Sequence, residues 1–306
     1  MADGAEKTSR IPKRYRGVVL FFRDAAVAAL LVACILLTMF AYTGLWPPLV
    51  VVESESMMHG GENISHIGTI DTGDLVLVKR VDSVADVETY VGSLSSGHET
   101  YGDYGDVIIY KVDGQDSRTP IIHRAIIYLE RNADDLSFRA EGLRDAPSSR
   151  WTVANPSDTW DHLTSYLTIL NVGWTDQPVG INVAHFVALH SSSGFVTKGD
   201  NNPSIDQSSG SLAQFSWVVG KARGEIPWFG LLKLWSTHTL GSTEPPNSVR
   251  NLWIAIAIIV FSPIVIDIAL TSKERREIAA KKAAHESKKK TEAEDSARPK
   301  GPKRRV

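Results

Sequence analysis

Two long apolar runs, one near each end of the chain, dominate the pattern of hydrophobic and polar positions. The first run, residues 25–45, has 21 consecutive positions without a charged side chain. As a helix rising about 1.5 Å per residue, it covers the roughly 30 Å hydrocarbon core of a bilayer. The pattern therefore predicts a transmembrane helix over residues 25–45.

A cleaved secretory signal is the alternative interpretation of this first run. Such a signal has a shorter apolar core and a small-residue processing site, whereas this run closes with Trp46, Pro47 and Pro48. A retained anchor is therefore the favoured interpretation. The second run, residues 252–270, contains Pro263 and carries Asp267 near its end. It predicts a second transmembrane helix.

Between the two runs, short stretches rich in β-branched residues predict a mainly β domain. The polar stretches 82–105 and 132–178 are interpreted as insertions, the second forming an α+β cap with packing of its own. Within that cap, Asn155 suits an N-cap, and apolar residues recur at helical spacing from Trp160 to Leu170, which predicts a helix. The predicted strands are residues 49–52, 75–81, 107–112, 121–128, 181–190 and 217–221.

The charge changes sign at the same boundaries. Residues 47–250 hold 25 acidic and 14 basic residues, a net charge of −11, while the rest of the chain carries +9. Basic residues flank the outer ends of both apolar runs, which places both termini in the cytoplasm. The predicted order is a basic cytoplasmic segment (1–24), a span, an extracytoplasmic domain (47–250), a second span and a basic cytoplasmic tail (271–306).

The positions of cysteine and histidine limit which disulfides and metal sites the chain can form. Cys34, the single cysteine, lies inside the first run, so the acidic domain contains no disulfide. His59 and His66 lack the cysteine or carboxylate spacing of a metal site, and we expect them to be surface loop residues. Neither a metal nor nucleic acid is expected as a ligand. The basic tail is expected to be a solvated helix that frays, with membrane lipids as a candidate partner.

Four short segments carry the candidate chemistry. They are Ser54-Glu55-Ser56-Met57, Gly73-Asp74-Leu75-Val76, His123-Arg124, and Gly199-Asp200-Asn201-Asn202 with Asp206 beyond. Each segment is a weak signal alone, and their order beside a membrane anchor makes the combination specific. Ser56 follows residue 45 by eleven positions, so a fully extended chain keeps it within roughly 36 to 40 Å of the predicted span.

In this order the segments resemble those of type I signal peptidases of the archaeal and endoplasmic-reticulum type. In that family a Ser-Met pair supplies the nucleophile, and histidine replaces the lysine base of the bacterial branch. The resemblance implies that Ser56 is the nucleophile and His123 the general base. It also implies a signal-peptidase-like β-sheet catalytic domain flanked by two transmembrane helices.

The resemblance extends to the acid and to the oxyanion donors. Residues 197–202 are similar to the family's aspartate box, whose second acidic position falls on Asp206. Asp206 is the first candidate to orient His123, and Asp200 is the second, with support of its own loop as its alternative role. The backbone N–H of Ser56 and the hydroxyl of Ser54 are candidate oxyanion donors, and Met57 is expected to pack near the substrate or the bilayer.

The implied function is a membrane-anchored serine endopeptidase that removes signal peptides from exported preproteins after small residues, without a cofactor. The implied partners are preproteins, with the protein-export channel as a further candidate. Two alternatives stay open. Lys79 or Lys111 is a rival general base, and the chain as a whole is alternatively a catalytically silent binding or accessory subunit of the export machinery. The sequence departs from the family at His59, where proline is usual, and in the extra residues 60–72.

Overall fold

A computed structural model of the chain describes residues 13–60, 63–239 and 244–296. The chain divides into two units after Val249. The terminal parts of the predicted cytoplasmic segments, residues 1–12 and 297–306, lie outside the described residues. The helices are α1 Lys13–Thr43, α2 Tyr90–Ser96, α3 Glu141–Asp145, α4 Val183–Ala188, α5 Leu231–Thr237 and α6 Pro246–Ser296.

The described strands are two to eleven residues long, and all of their pairings are antiparallel. They are β1 Leu49–Val51, β2 Leu75–Lys79, β3 Glu99–Thr100, β4 Asp103–Tyr104, β5 Val107–Tyr110, β6 Ile121–Arg131, β7 Phe138–Arg139, β8 Trp151–Val153, β9 Tyr166–Val172, β10 Gln177–Asn182, β11 Gly194–Lys198 and β12 Val218–Ile226.

Among the described residues, two helices are long and apolar enough to cross a membrane, residues 18–43 of α1 and 246–281 of α6. This agrees with the two predicted spans, although α1 ends at Thr43 rather than at residue 45. It ends there because Gly44 takes a left-handed conformation (φ 68°) and donates its N–H back to the Phe40 carbonyl. Pro263 lies inside α6 without ending it.

A seven-stranded sheet forms the centre of the first unit and positions the candidate residues. Its order is β1-β2-β12-β5-β6-β11, with β7 pairing to the far end of β6. The mainly β prediction is confirmed in this coarse form. Since β1 pairs only with β2 among the described strands, it leaves one edge of the sheet open. Met57 packs into the apolar cluster of β2, β5 and β12, together with Val76, Val107 and Ala222.

Two secondary-structure predictions are wrong. The predicted helix from Asn155 onward is a polar loop followed by β9. Its Asp158 carboxylate accepts the backbone N–H groups of Thr164 and Ser165, which holds the loop open. The predicted strand 181–190 ends at Asn182, because the side chain of Asn182 accepts the His185 N–H and so begins α4.

The prediction that the second insertion packs by itself is also wrong. It does contain a separate three-stranded sheet, β10-β9-β8, and the short helix α3. However, its buried residues Leu163, Leu167 and Ile169 share one cluster with Ile127 and Leu129 of the central strand β6. The insertion is therefore part of the main core.

Candidate active site

Ser56 lies in a tight turn that follows the edge strand β1. The β1–β2 pairing continues past the strand, since Gly73 donates to the Val52 carbonyl and Val52 donates to the Asp74 carbonyl. Beyond that point the chain turns, and the Met58 N–H donates to the Glu55 carbonyl at 3.1 Å. Ser56 is thus carried on a short, hydrogen-bonded turn at the end of the sheet edge.

His123 reaches Ser56 from β6. It pairs with Ile108 on the neighbouring strand β5, and it is only 7% exposed. Its Nε2 lies 2.9 Å from Ser56 Oγ. The structure therefore brings together the two residues that the sequence predicts as nucleophile and base, which are 67 positions apart in the chain.

The far nitrogen of His123 contacts Asp206. The Nδ1 atom lies 2.6 Å from Asp206 Oδ2, on a loop that follows β11. The same oxygen accepts hydrogen bonds from Thr197 Oγ1 at 2.6 Å and from Tyr110 OH at 3.0 Å. Burial and the neighbouring Asp206 raise the pKa of the Tyr110 phenol, so it stays protonated as a donor. Three donors converge on one carboxylate oxygen.

Asp200, the second candidate to orient His123, contacts a different partner. Its carboxylate binds the Arg124 guanidinium in a bidentate pair, at 2.8 Å to Nε and 2.6 Å to Nη2. Burial of Asp200 opposes ionisation, but Arg124 outweighs it and lowers the pKa of Asp200 to about 2. Arg124 is itself buried and donates to four backbone carbonyls, those of residues 100 and 103–105. Asp200 therefore carries a structural ion pair.

The two remaining predicted residues lie beside the nucleophile. Ser54 Oγ is 3.2 Å from Ser56 Oγ, close enough to share a hydrogen bond. Met57 is 2% exposed, and its sulfur accepts the Asp200 N–H at 3.5 Å. Gly199 is needed next to them, because a Cβ at that position would stand 2.6 Å from the Ser56 carbonyl oxygen.

The two lysines that are alternative general bases contact other residues instead of Ser56. The Lys79 ammonium stands over the Tyr42 ring at 5.3 Å, and Lys111 pairs with Asp116 at 2.6 Å. A third lysine, Lys198, pairs with Arg124 across the β6–β11 ladder. Its Nζ donates to the Gly199 carbonyl at 3.0 Å, and burial lowers its pKa. Among the described contacts, no lysine side chain bonds to Ser56.

Sequence reasoning missed part of this arrangement. His59 is only partly exposed, and its Nε2 lies 2.8 Å from Asp200 Oδ2, so the prediction of a surface loop residue is wrong. The His59 ring also stacks on Trp174, which the second insertion supplies, at 5.9 Å. Thr197 and Tyr110 were missed because their roles depend on strand register. The described residues contain no group of three or more His, Cys, Asp or Glu suited to a metal.

An open cavity of about 400 Å³ borders Ser56 and His123. Its walls come from the end of β1 and from the start of β6, and they are mostly apolar. A second cavity of about 450 Å³ shares the walls Val51, Glu53, Thr119, Pro120 and Ile122. Because they share these walls, the two cavities adjoin and form a groove between β1 and the start of β6.

No protein-family model matches this chain, and a search of curated proteins finds no significant match.

Proposed function

We propose that this protein is a membrane-anchored serine endopeptidase of the type I signal peptidase kind, which removes signal peptides from exported preproteins. The observation that carries the proposal is the continuous hydrogen-bonded chain from Ser56 Oγ through the His123 ring to Asp206 Oδ2. This order of hydroxyl, imidazole and carboxylate activates a serine for attack on a peptide carbonyl. The resemblance of the four sequence segments supports the substrate class.

Acylation follows from this geometry. His123 Nε2 accepts the hydroxyl proton while Ser56 Oγ forms a bond to the carbonyl carbon of the peptide, whose oxygen takes up the π electrons. The resulting imidazolium is stabilised by Asp206, which also holds Nδ1 protonated so that the Nε2 lone pair faces Ser56. The tetrahedral intermediate collapses, and the breaking C–N bond takes the proton from Nε2 to release the mature protein. The signal peptide remains as an ester on Ser56.

Deacylation repeats the same steps with water. His123 Nε2 accepts a proton from water, whose oxygen attacks the ester carbonyl. Collapse of the second tetrahedral intermediate returns the proton to Ser56 Oγ and frees the signal peptide as a carboxylic acid. The reaction consumes one water and needs no redox partner.

The groove supports an extended peptide as substrate. A chain laid beside β1 can add a strand to the open edge of the sheet, with alternate side chains entering the groove. Its apolar walls, Val51, Val52, Ile121 and Ile122, suit uncharged side chains before the cut. The preference for small residues at that point is what the family resemblance implies.

The position of Ser56 supports a substrate that leaves a membrane. It follows Thr43, the last residue of α1, by 13 positions, which span at most about 43 to 47 Å when fully extended. In this proposal residues 47–250 lie outside the cytoplasm, with both termini inside. The acidic domain and its basic flanks fit that orientation.

A cleavage assay tests the proposal. The full chain, reconstituted in phospholipid vesicles, is incubated with a preprotein whose signal peptide ends in alanine, and products are identified by mass spectrometry. We expect one cut directly after that alanine. Ser56→Ala and His123→Ala should each lower kcat by about 10⁴-fold or more, as expected for residues of one catalytic unit.

Matched surface variants control for the substitutions themselves. Ser192→Ala and His190→Asn change exposed residues of the same types and should leave cleavage unchanged. Asparagine is chosen because His190 has a positive φ of 53°, which asparagine tolerates. If Ser56→Ala cleaves at the wild-type rate, the protein is not a serine peptidase acting through Ser56. If the wild-type chain itself does not cleave the preprotein, the binding-subunit alternative takes the place of the proposal.

A further inference from the structure

Asn201 holds the two carbonyl groups on either side of the nucleophile. Its backbone N–H donates to the Ser56 carbonyl at 2.8 Å, and its side-chain Nδ2 donates to the Glu55 carbonyl at 3.2 Å. The Glu55 carbonyl also accepts the Met58 N–H. One residue from a loop about 145 positions away thus fixes both peptide planes that contain Ser56 backbone atoms.

The orientation of the Glu55–Ser56 peptide determines where the Ser56 N–H points. In a trans peptide the C=O and N–H bonds point in opposite directions. Because the Glu55 oxygen faces Asn201 and Met58, the Ser56 N–H faces away from both. This N–H has no acceptor in the part of the chain that the structure describes, so it is free to donate to a substrate oxygen.

The loop that carries Asn201 is itself held firmly. Asp200, the preceding residue, is tied by its side chain to Arg124 and to His59. Gly199 packs against the Ser56 carbonyl at a distance that excludes any side chain. Asn201 is exposed, so its side chain contributes little to the core, and it donates two hydrogen bonds to the Ser56 turn.

We infer that Asn201 is the positioning residue of the oxyanion hole: its side chain fixes the Glu55–Ser56 peptide so that the Ser56 N–H meets the negative charge that develops on the substrate carbonyl oxygen. The inference rests on the proposed peptidase function. An N–H that is already oriented stabilises this charge without reorganisation during the reaction. The benefit therefore applies to the tetrahedral intermediate more than to the bound substrate.

The test compares Asn201→Ala and Asn201→Asp with Asn202→Asp in the reconstituted full chain. Asn201→Asp keeps the size and the backbone bond but replaces the donor with an acceptor that repels the Glu55 oxygen. Asn202→Asp places the same charge one residue later, where the side chain makes no hydrogen bond to the described residues 54–58. We expect both Asn201 variants to lower kcat about tenfold, equivalent to the loss of one modest hydrogen bond, with KM within twofold of the control.

A second measurement distinguishes a positioning role of Asn201 from a general loss of folded structure. A peptide boronic acid forms a tetrahedral anion on the serine oxygen, and it mimics the intermediate rather than the substrate. Its affinity should fall by the same factor as kcat in both Asn201 variants, while the melting temperature stays at that of Asn202→Asp. A loss seen only in KM, an unchanged boronate affinity, or wild-type kcat would overturn the inference.

The Ser56→Ala arm distinguishes this inference from the proposed function. If Ser56→Ala abolishes cleavage and the Asn201 variants match the Asn202 control, only the role of Asn201 is wrong. If Ser56→Ala cleaves normally, both the proposed function and the role of Asn201 are overturned.

Discussion

Two aspartates six positions apart, Asp200 and Asp206, occupy opposite kinds of site. Asp206 is partly exposed, and a single oxygen accepts hydrogen bonds from Tyr110, Thr197 and the His123 ring. Asp200 has a side chain only 4% exposed, and both of its oxygens bind the Arg124 guanidinium. The neighbouring residues His123 and Arg124 point to opposite faces of β6, as successive strand residues do, and each meets one of the two carboxylates.

Under the proposed function, one loop serves chemistry through Asp206 and stability through Asp200. The buried Asp200 carboxylate is paired to Arg124 and also bonds His59, so it stays ionised and fixes the loop. Among the described contacts it makes no bond to His123. A carboxylate that accepts bonds from two hydroxyls leaves room for histidine as its third donor. The predictions below separate the two roles by measuring cleavage and unfolding on the same variants.

Asp206→Asn is expected to have the largest effect on cleavage. An amide at this position favours the wrong imidazole tautomer, and the equivalent change in serine–histidine–aspartate sites lowers kcat by about 10⁴-fold. Because the side chain is partly exposed and keeps its size, the melting temperature in detergent should change little. Cleavage within tenfold of the wild-type rate would contradict the proposed role of Asp206 in orienting His123.

Asp200→Ala is expected to have the largest effect on stability. Removing one partner of a buried ion pair leaves Arg124 uncompensated and costs about 3 to 5 kcal/mol of unfolding free energy. Chemical denaturation of the full chain in detergent measures this value, with Asp206→Ala as the matched variant. Equal destabilisation by the two variants would contradict the division of roles.

The pH dependence of activity should follow one group. Cleavage should be faster at alkaline than at acidic pH, because only the neutral imidazole of His123 can accept the Ser56 proton. The rate is measured from pH 5 to 9 with saturating preprotein. A flat profile across this range would argue against histidine as the base.

The stabilising contribution of ionised Asp200 should be lost at low pH. Its pKa is about 2 in the folded protein, below the roughly 3.9 of an unfolded aspartate. A carboxyl with a lowered folded pKa stabilises the protein above the unfolded value, and that contribution is lost as the pH falls towards 2. The stability difference between wild type and Asp200→Asn should therefore shrink between pH 4 and 2. A difference that stays constant over this interval would contradict the ion-pair account.

His59→Gln should have the smallest effect. Glutamine removes the ring that stacks on Trp174 and weakens the bond to Asp200, so we expect a loss of about 1 kcal/mol in unfolding free energy and a severalfold fall in kcat. His66→Gln is the matched control, because His66 is exposed in the same segment. Equal changes in unfolding free energy and kcat in the two variants would show that His59 contributes no more than an exposed surface histidine.

The coarse architecture was predictable because long apolar runs and β-branched stretches are local signals. The errors arose where a side chain outside the pattern decides the local structure. Asp158 caps backbone groups in the loop where helical spacing suggested a helix, and Asn182 ends a strand and begins α4. Neither effect follows from hydrophobic periodicity.

The candidate site was predictable to the extent that its residues lie in recognisable segments. Ser56, His123 and Asp206 come together as the resemblance implies, but their roles stay predictions until they are measured. Thr197, Tyr110 and Trp174 depend on strand register and on how the second insertion folds back, and no local pattern carries that information. His59 is adjacent to the Ser-Met pair, yet only the folded chain brings Asp200 to it.

Detection of the acyl-enzyme tests the central claim most directly. The reconstituted protein is quenched in acid during preprotein cleavage, digested, and analysed by mass spectrometry for the peptide that contains Ser56. The account predicts a mass increase on Ser56 equal to the signal peptide in ester linkage, absent from Ser56→Ala and strongly reduced in His123→Ala. Turnover with Ser56 unmodified throughout, or with the adduct on another residue, would contradict it.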